Sequence, residues 1–260
     1  MTTIASYQPG TIGWFDLMTS DTAAARAFYA GLFGWQIDVG PPEFGGYAMC
    51  MNAGRTAAGL GPIEPGSPQP PSWSVYFITP DADATAARIT AHGGELIVPP
   101  MDVGEEGRML VARDATGAVF GAWQPGAHHG AQCAHEPGAM AWAEVNTRDS
   151  KRAREFYAAV FDLEPHHLEA PGIEYWTLHR GDETVGGVLQ MDAHWPASVP
   201  PHWMAYLQVA DTDAACARIK ELGGKVCVPP FDSPYGRIAV VEDPQGATFS
   251  VMHPPEGHAG

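Results

Sequence analysis

Residues 9–36, PGTIGWFDLMTSDTAAARAFYAGLFGWQ, return 128 positions later as PGAMAWAEVNTRDSKRAREFYAAVFDLE (137–164), with eleven of 28 positions identical. The shared residues include Trp14/Trp142, Asp21/Asp149, Arg26/Arg154, Phe28-Tyr29/Phe156-Tyr157 and Phe33/Phe161. A second block, WSVYFITPDADATAARITAHGGELIVPP (73–100), recurs as WMAYLQVADTDAACARIKELGGKVCVPP (203–230). Gly107-Arg108 then meets Gly236-Arg237, and DATGAVFGAW (114–123) meets DPQGATFSVM (243–252). A duplication of this length restricts the chain to two copies of one fold. The expected division is a first domain over 1–126, a linker over 127–137 and a second domain over 138–260.

Each copy divides again. A short strand runs into an Asp, an alanine-rich helix leaves at glycine, and three extended stretches follow. The same order starts at residue 14 and at residue 74. The fold class is therefore α+β: four βαβββ units with mostly antiparallel, curved sheets, each helix covering one sheet face. Period two then sorts the first strand. Phe15 and Leu17 belong under the helix, whereas Trp14, Asp16 and Met18 face the open side. In the second copy Ala143 and Val145 lie under the helix, and Trp142, Glu144 and Asn146 face the open side.

Composition removes several function classes. The net charge is -16, with 14 Lys+Arg against 30 Asp+Glu, so there is no basic footprint for nucleic acid or for an anionic membrane surface. The four cysteines form no CxxC pair, which argues against a zinc ribbon or a disulfide framework. MTTIASYQPG has no basic segment followed by an apolar run, and no stretch reaches the ~20 apolar residues of a membrane span. The expectation is a cytoplasmic protein. No GxGxxG, Walker, GxSxG or HExxH motif occurs. The linker histidines His128, His129 and His135 read as solvated.

Four βαβββ units, the "D…FY…LFGW" pattern after the first strand and "D-x-x-G" before the last resemble the vicinal oxygen chelate superfamily. That superfamily includes glyoxalase I, extradiol dioxygenases, fosfomycin-resistance enzymes and bleomycin-binding proteins. The two-domain arrangement resembles the tandem, actinobacterial glyoxalase-like proteins often labelled hydroxylases. The resemblance covers roughly 9–125 and 137–254 and implies two tandem glyoxalase-like domains. It also implies metal ligands at set strand positions. Those positions here hold Trp14, Ser74, Trp142 and Met204 on first strands, and Gly121 and Ser250 on last strands; the remaining ligand strands offer only Gln190. The expected cofactor is none.

Three candidate catalytic residues remain. Asp16 and Glu144 are carboxylates facing apolar walls, read either as general base or hydroxyl acceptor, or as structural acceptors. His202 stands at the mouth of a strand and reads as an acid/base at a pocket entrance or as a plain scaffold residue. Trp14, Tyr76, Trp123, Trp142, Met204, Tyr206 and Met252 form the candidate substrate-binding wall, suited to a flat apolar or aromatic ligand. The same residues could instead plug the cavities. Arg108 and Arg237 read as partners of carboxylates at the domain interface. The expected partner is a small aromatic molecule, with the two domains packed as an internal pseudo-dimer in a monomeric chain.

The leading expectation is a metal-independent protein that binds or transforms a small hydrophobic, polycyclic aromatic compound, in secondary metabolism or resistance. An enzyme of hydroxylase or lyase type would fit that reading. The alternatives are a metal-dependent lyase, isomerase or dioxygenase of the same superfamily, and a non-catalytic interaction protein with plugged cavities.

Overall fold

The computed structural model describes residues 3–170 and 172–255. The first copy builds β1 (Ile12–Thr19), α1 (Thr22–Phe33), β2 (Gln36–Val39), β3 (Ala48–Asn52) and β4 (Arg55–Pro62). It continues with β5 (Ser72–Ile78), α2 (Ala82–Ala91), β6 (Glu95–Val103), β7 (Gly107–Arg113) and β8 (Val119–Pro125). The second copy repeats the order with β9 (Met140–Thr147), α3 (Ser150–Phe161), β10 (Glu164–Ala170), β11 (Ile173–Arg180) and β12 (Glu183–Gln190). Then come β13 (His202–Gln208), α4 (Thr212–Glu221), β14 (Lys225–Ser233), β15 (Gly236–Glu242) and β16 (Thr248–His253). A short 3-10 turn, Pro42–Phe44, precedes β3.

Each copy forms one eight-stranded sheet, in the orders β2-β3-β4-β1-β5-β8-β7-β6 and β10-β11-β12-β9-β13-β16-β15-β14. Two βαβββ units meet at a central antiparallel pair, β1 with β5 and β9 with β13. Among the named strands, the parallel pairs are β1/β4, β5/β8, β9/β12 and β13/β16, where a helix or a long connection separates the strands. No helix among the described residues is long and apolar enough to cross a membrane.

The helices begin where aspartates stop the chain. Asp21, Asp81, Asp149 and Asp211 each accept a hydrogen bond from a first-turn backbone N–H, satisfying a donor the helix itself leaves open. Gly34 closes α1 in the left-handed region (φ 73°). At the matching position Asp162 adopts φ 55°, and its carboxylate is gripped by Arg88 of α2 in the other copy.

The helices lie between the two sheets. α1 packs on α4, α2 on α3, and β5 on β13, so the two copies share one hydrophobic core. Phe15, Leu17, Phe28, Val75 and Phe77 are buried in it with Val145, Phe156, Leu207 and Phe249. Two buried relays cross the boundary. Tyr29 donates to Asp243 Oδ2 at 3.0 Å and accepts from Trp73 Nε1 at 3.0 Å. In the mirrored position Tyr157 donates to Asp114 Oδ2 at 2.8 Å and accepts from Trp203 Nε1 at 2.7 Å. The Phe-Tyr pairs of the repeat therefore tie each first helix to the opposite copy.

Arg108 and Arg237 correct one expectation. They pair with Asp83 and Asp102, and with Asp213 and Asp232, all within their own copies rather than at the interface. The cross-copy cations are Arg88, bound to Asp162 and the Ala159 carbonyl, and Arg218, bound to the Gly31 carbonyl.

Candidate functional site

The sheet faces turned away from the helices carry a matched arrangement in both copies. In the first, Asp16 pairs across the ladder with Gly59 of β4 and Ser74 of β5. Tyr47 donates to Asp16 Oδ2 at 3.1 Å, Tyr76 donates to the same oxygen at 3.2 Å, and the Trp14 indole N–H donates to the Tyr47 hydroxyl at 3.1 Å. In the second, Tyr175 donates to Glu144 Oε2 and Tyr206 to Oε1, each at 2.7 Å, and Trp142 donates to Tyr175 at 2.8 Å. Each constellation is thus a buried carboxylate between two phenols, with an indole behind one of them.

Tyr47 and Tyr175 were not among the sequence candidates, although a signal existed. The 128-residue offset that matches Trp14 to Trp142 also matches Tyr47 to Tyr175 and Gly59 to Gly187. Those glycines are required by close approach: a Cβ on Gly59 would stand 1.8 Å from the Tyr47 hydroxyl oxygen, and one on Gly187 1.9 Å from that of Tyr175.

One methylene separates the two sites chemically. Glutamate is long enough to offer one oxygen to each phenol. The shorter aspartate reaches both phenols with Oδ2 alone, and its buried Oδ1 has no hydrogen-bond partner. Burial pushes the Asp16 carboxyl up to about 6, against the opposing pull of the two phenols. Burial also raises Glu144, opposed by Tyr175, Tyr206 and Trp142. Because the folded pKa of Asp16 lies above its ordinary 3.8, the native state binds the proton more tightly. The associated stability is fully present below about pH 4 and is lost as pH rises through 6. Two pKa units correspond to on the order of 3 kcal/mol. Asp16→Asn is therefore expected to flatten the pH dependence of unfolding by about that amount between pH 4 and 7.5. Urea unfolding of both proteins at the two pH values measures it; parallel curves would show that Asp16 titrates normally.

The sites also differ in cover. Trp14, Tyr76 and Trp123 are buried in a small cluster with Ile78 and Ala131, against which Tyr7, Tyr47 and Met109 pack. The segment after β8 forms its roof. Ala131 N donates to the Gly13 carbonyl at 2.8 Å, Gln132 N to that of Thr56 at 2.7 Å, and the Trp123 indole to that of His128 at 2.9 Å. The His128 ring stands edge-on to Trp14, centroids 4.4 Å apart, and burial lowers its pKa to about 4. His128 is thus no solvated linker residue, which corrects that expectation; His129 is exposed. In the second copy Trp142, Tyr175, Tyr206 and His202 are only half-buried, whereas Met204 and Met252 are buried. A cleft of about 350 Å³ lies on the far side of Trp142, between β9, β12 and residues 4–12; Glu144, Tyr175, Tyr206 and Met204 do not line it.

The positions at which the resemblance implies metal ligands fall on these same faces. The residues there do not fit a divalent ion: they are Trp, Ser, Met and Gly, and the carboxylate beside them, Asp16 or Glu144, is already bound by two phenols. Among the described residues no three His, Cys, Asp or Glu converge. Gln190 is spent on helix α3, accepting from Ser150 N and donating to the Arg148 carbonyl.

The family model for the Glyoxalase/Bleomycin resistance protein/Dioxygenase superfamily matches residues 11–121 and 139–251. The chain belongs to this superfamily. "Putative glyoxylase CFP32" of Mycobacterium tuberculosis (strain CDC 1551 / Oshkosh) is 41% identical over 96% of this chain and 97% of its own. "Anthracycline biosynthesis protein DnrV" of Streptomyces peucetius is 40% identical over 97% and 96%. Among solved structures, the Mn(II)-bound glyoxalase from Novosphingobium aromaticivorans superposes with a TM-score of 0.66 at 14% identity, covering 95% of this chain and 82% of that one. That likeness is one of fold, and the fold is two tandem glyoxalase-like domains.

Proposed function

We propose that this protein binds a flat, hydroxylated, fused-ring aromatic compound on the concave face of its C-terminal sheet, independently of a metal. The observation that carries the reading is that Trp142 and Tyr206 beside buried Glu144 are half-buried, whereas their counterparts Trp14 and Tyr76 beside Asp16 are buried under the segment after β8; Tyr47 and Tyr175 are half-buried alike. Trp142 and Tyr206 offer ring faces for stacking, Met204 and Met252 an adaptable apolar floor, and Glu144 a carboxylate acceptor for a ligand hydroxyl. Each carboxylate oxygen accepts from one tyrosine and has two lone pairs, which leaves acceptor capacity for a further hydrogen. Relatives named for anthracycline biosynthesis support a polycyclic aromatic ligand and a place in secondary metabolism. The sealed N-terminal site, with its pinned roof, serves as scaffold.

Calorimetric titration with 2,7-dihydroxynaphthalene tests this. The expected result is one equivalent bound per chain, with binding lost in Trp142→Ala and retained in Trp14→Phe. No saturable binding, or binding unaffected at Trp142, would contradict it.

A further inference from the structure

Asn146 and His202 stand opposite each other on β9 and β13, at one end of the C-terminal concave face. The His202 Nδ1 atom lies 2.8 Å from the Pro200 carbonyl oxygen. A carbonyl only accepts, so Nδ1 carries the proton. Burial lowers the His202 pKa, which keeps the ring neutral and leaves Nε2 a bare acceptor. Asn146 Nδ2, 3.3 Å from Nε2, is therefore the donor of that bond. The histidine thus fixes which way the amide points: its nitrogen faces His202 and its oxygen faces away.

That oxygen has no partner. Asn146 is 1% exposed, and its Oδ1 is buried without a hydrogen-bond donor. An unmet buried acceptor costs about 1–3 kcal/mol, which an apolar side chain of the same shape would not incur. Its other ladder neighbour, Leu189 of β12, has no side-chain donor to offer. Residues 192–201 run over this end as a largely exposed connection without regular structure, from which the Trp195 ring returns to 6.3 Å from His202. Glu144 lies two residues away on the same face of the same strand, a spacing of roughly 6–7 Å.

We propose that Asn146 Oδ1 is a specificity-determining acceptor of the C-terminal site, taking the hydrogen of a second ligand hydroxyl beside the one engaged by Glu144. The site then selects fused aromatics that carry two hydroxyls on one edge. His202 is its positioning residue: it orients the amide and touches no ligand atom, a role in place of acid/base exchange. This rests on the C-terminal face being the ligand site.

The test compares 2,7-dihydroxynaphthalene, whose hydroxyls share one edge at about the Glu144–Asn146 spacing, with 2-naphthol, which lacks one of them. Wild-type protein is expected to prefer the diol by about tenfold, the effect of one hydrogen bond to a buried acceptor. Asn146→Leu should bind both compounds alike. His202→Ala, which keeps the amide but frees its orientation, should also lose most of the preference. The ratio is the readout, because general loosening of the site would weaken both compounds together. A preference absent from the wild type, or intact in both variants, overturns the assignment of Asn146 alone. Failure of both compounds to bind the wild type overturns the C-terminal site with it.

Discussion

Asp114→Ala is expected to lower the unfolding free energy by about 3–5 kcal/mol, a large share of a domain's total stability. Asp114 is 3% exposed and lies in the turn between β7 and β8. Its Oδ1 accepts from the backbone N–H groups of Thr116, Gly117 and Ala118 and from the Thr116 hydroxyl. Its Oδ2 accepts from Tyr157 of the other copy. Alanine leaves the Thr116 and Ala118 N–H groups, the Thr116 hydroxyl and Tyr157 without this acceptor, and the Trp203–Tyr157 bond loses its anchor; the Gly117 N–H keeps the residue-114 carbonyl. The exposed ion pair of Asp83 with Arg108 provides the contrast, because truncation of Asp83 should cost no more than ~1 kcal/mol. Urea unfolding of both variants measures the difference. Since Asp114 and Tyr157 belong to different copies, the wild type should unfold in a single transition. Two separated transitions would contradict the shared core.

Gly187→Ala is expected to weaken ligand binding about a hundredfold while leaving the chain folded. The added methyl would stand 1.9 Å from the Tyr175 hydroxyl oxygen and 2.5 Å from the ring carbon bearing it, so the phenol must move. In moving it gives up its bonds to Glu144 and Trp142, both under 3 Å. Glu144 loses one of its two donors, and Trp142 is released from the stacking wall. Loss of one charge-assisted hydrogen bond and one ordered aromatic face is worth roughly 3 kcal/mol, or two decades in affinity. The strain itself costs about 1–3 kcal/mol of stability.

Much of this was legible in the sequence, because the chain states its fold twice. Strict alternation in WFDLM places Phe15 and Leu17 in the core and Trp14 and Asp16 on the other face; in the structure Phe15 and Leu17 lie in the shared core, Trp14 in the smaller cluster, and Asp16 is bonded to Tyr76 of that cluster. The aspartates ahead of the helices marked each N-terminus by a local mechanism that needs no tertiary information. Tyr47 precedes β3 and Tyr175 lies within β11, in stretches whose polar and apolar residues alternate too weakly to single them out; only the repeat register distinguishes them. His128 was misread for a different reason. Its segment is aperiodic, and its placement over Trp14 follows from backbone pairing with Gly13 and Thr56, distant in the chain. The difference between a closed and an open cavity depends on such cover. The shared pattern of IGWFDLMT and MAWAEVNT therefore gives no hint of it.

If the C-terminal face alone receives ligand, as proposed, the repeat supplies a matched control. Gly59→Ala would set a methyl 1.8 Å from the Tyr47 hydroxyl oxygen, the same injury on the sealed N-terminal face. Calorimetric titration of Gly59→Ala and Gly187→Ala with 2,7-dihydroxynaphthalene, side by side, puts the claim to its most direct test. Near wild-type affinity is expected for Gly59→Ala, and loss of about two decades for Gly187→Ala. Equal losses, or a loss confined to Gly59→Ala, would contradict it.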